Sequence, residues 1–445
     1  MRVLFLSYTF PPDIAVGGLR IARLCRYLPD CGIEPVVLTV ADRFYESVDR
    51  SVTLPAQLKI IRTTCISTPV DWYRKICTHG SSTSASSGEQ PARANAAPAF
   101  LRRQILAMLT FPDQYWGWYL PALEAAGRLM KQEKIDILFS SGPPWICHVI
   151  ARRLKIRHRL PWIADFRDPW ANLLPKKREP QWFQRLSERL EDRCIASADM
   201  VICNTERLRQ AFQKNYAATD TSRFRTLTNG FEDRQLEVTG PQPGATRVFL
   251  HLGSIYGLRR IDTFLQAIAG LTRSSQLEAG SFQLLFQGEV SPEFIAQAET
   301  ICPDLLRSGS LEFRPRVNWT EAQRVLAGAD RLLLFQGNHE LQVPAKFYEY
   351  LPTGLPIFAV SEPGALTDVL EATHSGLWAG PADSSEIARR FLEFLQVPRR
   401  TPESVKRELN GQFHFRHLAS QLANWMQGVL NHERNSEPTA SGVTQ

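Results

Sequence analysis

The sequence predicts an α/β protein built from two doubly wound units in tandem. Three observations carry this: short apolar runs alternate with helical patterns, the alternation restarts after a Pro- and Gly-rich stretch, and 445 residues suit two domains of roughly 100 to 200 residues each. The first unit opens with Val3-Leu4-Phe5-Leu6 as a strand. Gly17-Gly18 follows in a loop, then a helix with Ile21, Leu24, Cys25 and Leu28 on one face, then the strand Pro35–Val40. That order is a βαβ unit. Further strands are expected at Ile135–Phe139, Pro161–Ala164 and Met200–Cys203, with helices over Ile146–Leu154 and Gln184–Ile195.

Thr78–Pro98 is rich in Ser, Gly, Pro and Ala and reads as a flexible insertion. After it, Phe100–Leu109 places Leu101, Ile105, Leu106, Met108 and Leu109 beside Arg102 and Arg103. That pattern suits an element lying on a membrane surface, and equally a helix packed on its own domain. Val238–Gly244 reads as a linker, so the first domain is placed at 1–237 and the linker at 238–247. A second domain at 248–410 then has strands Val248–Leu252, Phe282–Gln287, Arg331–Phe335 and Pro356–Val360, with helices Ile261–Leu271 and Ala345–Leu351. A last helix over 411–432 is expected to pack back on the first domain, and 433–445 to form a disordered tail.

Composition narrows the class. With 44% hydrophobic and 22% charged residues the chain is neither collagenous, a long coiled coil nor wholly disordered. Its longest apolar runs fall far short of the roughly 20 residues of a membrane span, and Val3–Leu6 is too brief for a signal peptide. The eight cysteines (Cys25, Cys31, Cys65, Cys77, Cys147, Cys194, Cys203, Cys302) form no zinc-spaced pair, which reads as reduced thiols in a cytoplasmic protein. Net charge is +7, gathered at Arg102-Arg103 and at Arg152, Arg153, Lys155, Arg157, Arg159, Lys176, Lys177 and Arg178. Such patches suit lipid, nucleotide phosphate or nucleic acid on charge alone, but no nucleic-acid signature accompanies them, so no nucleic-acid partner is expected.

Ligands in open parallel sheets sit beyond the carboxyl ends of strands. Gly17 and Gly18 follow the first strand, where backbone amides can approach a phosphate, although a glycine pair also serves an ordinary turn. His251-Leu252-Gly253-Ser254 with Gly257, Arg259 and Arg260 repeats that arrangement with guanidinium groups that suit a diphosphate. In Val343-Pro344-Ala345-Lys346-Phe347-Tyr348-Glu349, Lys346 and Glu349 fall three apart on one helix face, where the carboxylate can accept ribose hydroxyls or simply pair with the lysine. Asp165, Arg167 and Asp168 end an apolar strand in Asp165-Phe166-Arg167-Asp168-Pro169-Trp170.

Taken together the set resembles glycosyltransferase family 4, whose members have the GT-B fold of two Rossmann-like domains facing across a cleft. The resemblance runs over most of the chain, through Phe10-Pro11-Pro12, Gly17-Gly18, Pro112-Asp113, Gly117-Trp118, Ser140–Pro144, Ile163–Trp170, Thr228–Phe231, His251–Ser254, Val343–Lys346 and Glu349-Tyr350. It implies a nucleotide-sugar donor held mainly by the second domain, a glycan or lipid-linked acceptor held mainly by the first, retention of anomeric configuration, and neither metal nor cofactor. By position, it places Gly17, Gly18, Gly253, Ser254, Arg259, Glu340, Val343, Lys346 and Glu349 at the donor and Asp165, Arg167 and Asp168 at the reacting centre. Arg259 stands where the family usually has Lys, Ser254 where many members have Arg, and Arg167 near the usual sugar-facing His. The family's paired glutamates lie eight apart, whereas eight before Glu349 is Leu341, with Glu340 one position away. The expected function is sugar transfer in surface polysaccharide or glycolipid synthesis, at the inner face of the cytoplasmic membrane, with peripheral contact to anionic lipid. An epimerase on the same fold and a non-catalytic interaction protein are the alternatives.

Overall fold

The computed structural model describes residues 1–69, 104–173, 180–233, 246–257, 261–337 and 339–436, with side chains as far as 432. The insertion expected at 78–98, most of the linker at 238–247, Arg102, Arg103, Lys176, Lys177, Arg178, Arg259, Arg260 and the tail beyond 436 lie outside the described residues. The chain divides into two units, Asn229–His414 forming one, and Met1–Thr228 with the segment from Phe415 forming the other.

In the first unit seven strands form a sheet in the order β3-β2-β1-β4-β5-β6-β7. They are β1 (Arg2–Leu6), β2 (Glu34–Val40), β3 (Lys59–Thr63), β4 (Ile137–Gly142), β5 (Trp162–Phe166), β6 (Met200–Cys203) and β7 (Phe224–Thr226), and every pairing is parallel. Helices α1 (Val16–Tyr27), α2 (Tyr119–Gln132), α3 (Ile146–His158), α4 (Gln181–Ser197) and α5 (Glu206–Asn215) connect them. The glycine pair expected in a loop lies instead inside the first turn of α1. The reason is packing: a Cβ on Gly18 would come within 2.9 Å of the Phe10 backbone, so only a helix start without side chains can lie this close to the Phe10-Pro11-Pro12 loop.

The second unit has six parallel strands in the order β10-β9-β8-β11-β12-β13. Its strands are β8 (Arg247–Leu252), β9 (Phe282–Gln287), β10 (Leu311–Arg314), β11 (Arg331–Phe335), β12 (Ile357–Val360) and β13 (Gly376–Ala379). Its helices are α6 (Asp262–Arg273), α7 (Pro292–Ile301), α8 (Pro303–Arg307), α9 (Trp319–Ala327), α10 (Ala345–Tyr350), α11 (Ala365–Ala372), α12 (Ser384–Phe394) and α13 (Pro402–Phe413). The helix expected over 411–432 is split at His414, where α13 ends and α14 (Phe415–Ser436) begins and continues into the stretch read as tail. Phe415, Leu418, Leu422 and Met426 of α14 share a core with Ile21, Leu24 and Cys25 of α1, inside the first unit.

Both units have the GT-B arrangement of parallel sheets flanked by helices. In each sheet the strand order reverses at one point, between β1 and β4 in the first unit and between β8 and β11 in the second. Crossover connections to the two sides part there and leave a crevice beyond the carboxyl ends of the strands.

Candidate functional site

At the reversal point of the first unit, the centre is a buried ion pair that the sequence reading missed. Arg20, one turn before Leu24 on the apolar face of α1, is 2% exposed, and Asp165 at the end of β5 is fully buried. Arg20 donates from Nη2 to Asp165 Oδ1 at 3.0 Å and from Nε to Oδ2 at 3.2 Å, a fork-to-fork geometry. Its remaining donors reach the carbonyls of Leu227 (2.7 Å) and Thr228 (2.6 Å), and Ser141 Oγ donates to Asp165 Oδ2 at 2.8 Å. Asp165 is thus saturated and enclosed. It positions α1 against β5 and is not placed to act on a ligand as base or nucleophile.

Arg167, two residues on, is half-buried, and its guanidinium lies against Gly17 so closely that a Cβ there would overlap it. Its backbone N–H donates to the Gly142 carbonyl at 3.0 Å, and its Nη2 donates to the carbonyl of Pro143. Burial lowers the Arg167 pKa, an effect that Asp168 and Asp165 oppose. The structure therefore brings Gly17 and Arg167 together at the first turn of α1, with Asp168 following Arg167 in the chain and its charge acting on the guanidinium. The helix N-terminus and a guanidinium there make an electropositive wall.

Below this wall the side chains are aromatic. Trp145 stacks on Trp170 with centroids 5.0 Å apart, and His148, fully buried, stacks on Phe166 at 4.4 Å. Trp162 Nε1 donates to Ser140 Oγ at 2.7 Å, and the same hydroxyl shares a hydrogen bond with His148 Nδ1 at 2.8 Å. Burial takes the His148 pKa down to about 3, which keeps the ring neutral. Asp113 accepts from the backbone N–H of Ile146 at 2.8 Å and of Tyr115 at 2.9 Å, fixing the start of α3, while burial pushes its pKa up to about 6. The loop after β5 is held at its far end by Glu191, a fully buried carboxylate on α4 that accepts from the backbone N–H groups of Ala171 (2.7 Å) and Asn172 (2.9 Å). Burial raises its pKa to about 7.

The second unit gathers its own group at the carboxyl end of β8. Gly253 has φ +126°, a conformation closed to side chains, and a Cβ on it would overlap the ammonium end of Lys346. Its backbone N–H donates to the Gln287 carbonyl at 2.7 Å, and Ile255 N–H to Glu289 at 2.8 Å, so Ser254 sits on a loop still tied to β9. Tyr350 of α10 accepts from the backbone N–H of Leu252 at 2.8 Å, and burial holds its hydroxyl well above the usual phenol range. That bond fixes α10 on β8 and with it the placement of Lys346 over Gly253. Glu349, half-buried, lies three residues further along α10.

Two other expected donor residues are placed differently. Val343 is a core residue packed with Phe347, Leu334 and Leu351, so its side chain offers nothing to a ligand. Glu340 is exposed, and its backbone carbonyl accepts from the Ala365 N–H at 2.8 Å at the start of α11. Arg259 lies outside the described residues. Among the described residues no group of three His, Cys, Asp or Glu stands close enough to hold a metal ion, and no helix is long and apolar enough to cross a membrane. The seven described cysteines are free thiols.

Comparison with known proteins agrees with this architecture. Residues 76–235 match the model of Glycosyltransferase Family 4. No curated protein sequence matches the chain. Among solved structures, the lipopolysaccharide outer core galactosyltransferase WaaB in its apo form is similar with a TM-score of 0.59 at 12% identity, over 96% of this chain and 100% of that one. Sucrose-phosphate synthase from Thermosynechococcus elongatus is similar with a TM-score of 0.62 at 13% identity, over 97% and 99%. HepE of Anabaena, solved in complex with UDP and glucose, gives 0.54 at 14% identity, over 98% and 99%. These likenesses show the GT-B fold, and together with the family match they support a glycosyltransferase.

Proposed function

We propose that this chain transfers a sugar from a nucleoside-diphosphate donor to a glycan or lipid-linked acceptor, with retention and without a metal, in surface polysaccharide or glycolipid synthesis. The observation that carries the reading is the Gly253–Lys346 contact, which sets an ammonium group at the carboxyl end of β8, at the reversal point of the second sheet, with Glu349 on the same short helix. HepE, similar in fold, is described in complexes with UDP and with UDP-glucose, in keeping with a uridine or related donor.

Breaking the bond between sugar and diphosphate builds negative charge on the leaving phosphate and positive charge on the ring. Lys346 would offset the first, and the family resemblance gives Arg259 the same part. Glu349 would accept the ribose hydroxyls, and the backbone around Gly253 would approach the diphosphate where a side chain would block it. In the first unit, Arg167 and Asp168 border the acceptor-side wall, while Arg20 and Asp165 keep β5 and α1 in register beneath it. Asp165, enclosed by Arg20 and Ser141, does not serve as nucleophile in this reading, which gives catalysis to charge stabilisation and positioning.

Calorimetric titration of the whole chain with UDP, GDP and their sugar conjugates tests it. The expected result is selective binding by the wild type that is lost in Lys346→Ala and in Glu349→Ala with their thermal midpoints retained. A well-folded wild type that binds none of these ligands would refute the transferase.

A further inference from the structure

On the first unit a cluster of large apolar side chains faces solvent. Met108 is 73% exposed, Ile105 52%, and Leu106, Leu186 and Trp182 are exposed as well. They are one surface. Trp182 Nε1 donates to Gln104 Oε1, and Phe111 meets Phe183 edge-to-face at 5.6 Å, so residues 104–111 lie on the first turns of α4.

The inner face of α4 is taken by other side chains: Phe183, Ser187, Glu191, Cys194 and Ile195 point into the unit. The outer stripe runs Trp182, Arg185, Leu186, Arg189 and Arg193, spaced to fall on one side of the helix. Arg185, Arg189 and Arg193 carry no acidic partner among the described residues, while Glu188 and Asp192 lie toward one flank, Asp192 bonded to Asn172 and Tyr216. By contrast, in the basic region expected at 152–178, Lys155 is paired with Asp199 and Arg152 with Ser197.

We infer that residues 104–108 and the outer stripe of α4 form a docking surface for an anionic lipid bilayer. Exposed apolar tips, an indole and three arginines in one stripe suit the depth profile of a membrane boundary. The apolar tips enter the acyl region, the amphipathic indole rests at headgroup level, and the arginine stems lie along the surface with their charge on lipid phosphate. The inference deepens the proposed lipid-linked acceptor by naming the face that brings the enzyme to it.

Flotation of the full chain with phosphatidylcholine vesicles, with and without phosphatidylglycerol, tests the surface. Wild type is expected to float with the anionic vesicles and to be weakened by salt. The triple variant Arg185→Gln, Arg189→Gln, Arg193→Gln should bind them about a hundredfold more weakly, and Met108→Ser with Trp182→Ser should remove the salt-resistant remainder. The three arginines are exposed, so the triple variant is expected to keep its thermal midpoint; Trp182→Ser also loses the Gln104 bond, so far-ultraviolet circular dichroism verifies that the double variant is folded. The inference falls if wild type does not float with anionic vesicles, or if both variants float as wild type does. It also falls if the wild type self-associates without binding vesicles and Met108→Ser with Trp182→Ser dissolves that association, since the surface then belongs to a second copy of this chain. Donor binding measured on the same samples keeps the two readings apart, since either one can fail alone.

Discussion

Replacing Arg20 by Met keeps the apolar stem and removes the guanidinium, leaving Asp165 fully buried with Ser141 as its one hydrogen-bond partner among the described residues. Breaking a buried pair in this way costs about 3 to 5 kcal/mol, because the surviving buried charge loses the opposite charge that was bonded to it. The carbonyls of Leu227 and Thr228 lose their Arg20 donors too, at 2.7 and 2.6 Å, which places the expectation toward the upper end of that range. For a unit of this size each kcal/mol moves the midpoint by about 2 to 4 °C, so Arg20→Met should melt about 6 to 20 °C lower in scanning calorimetry of the full chain. Arg20→Met combined with Asp165→Leu removes the stranded charge and should recover much of the loss, leaving mainly the two carbonyls unsatisfied. A single variant within about 1 kcal/mol of wild type would refute the reasoning. So would a double variant whose loss equals the sum of the two single losses, since the cycle would then show no coupling.

Gly17→Val should displace the Arg167 guanidinium and cost about 1 to 3 kcal/mol, read as a lowered urea midpoint, together with lost transfer activity. Gly253→Ala forces a side chain into φ +126° and into the Lys346 ammonium, so calorimetric donor affinity should fall while the melting of the first unit stays put. Burial holds Glu191 at about 7, above the ordinary glutamate value, so the folded state retains its proton longer than the unfolded chain. Its contribution to stability is therefore complete below the unfolded value and is lost as pH rises to about 7, at no more than about 1.4 kcal/mol per pH unit. Glu191→Gln should flatten that decline in urea unfolding across the same range, and an unchanged slope would remove Glu191 as its source.

How much of the fold could be read beforehand follows strand position. The interior strands β1, β2, β4, β5 and β6, and likewise β8, β9, β11 and β12, are buried on both faces and show as near-continuous apolar runs. The strands that escaped notice, β3, β7, β10 and β13, are the four sheet edges. Lys59-Ile60-Ile61-Arg62-Thr63 and Phe224-Arg225-Thr226 carry charge because one side meets water, and that dilutes the signal. At the site, Gly17 with Arg167 and Gly253 with Lys346 were legible as separate fragments, since Arg167 and Gly253 directly follow strands while Gly17 and Lys346 open helices. Which carboxylate is enclosed was not. Asp165 and Asp168 look alike in sequence, and only the arrival of Arg20 from 145 positions away distinguishes a structural anion from an accessible one. The signal was present all the same, in an arginine set one turn before Leu24 on an otherwise apolar helix face.

The return of α14 to the first unit carries a consequence for the order of events during synthesis. Ile21, Leu24 and Cys25 emerge from the ribosome early, yet the side chains that cover them, Phe415, Leu418, Leu422 and Met426, are made only after Asn229–His414 is complete. The second unit is contiguous and has every partner in hand while the first still lacks one wall of its core. Elongation proceeds at about 5 to 20 residues per second, so the nascent chain spends many seconds with the α1 face uncovered. The first unit's core is therefore closed last, when α14 packs onto α1.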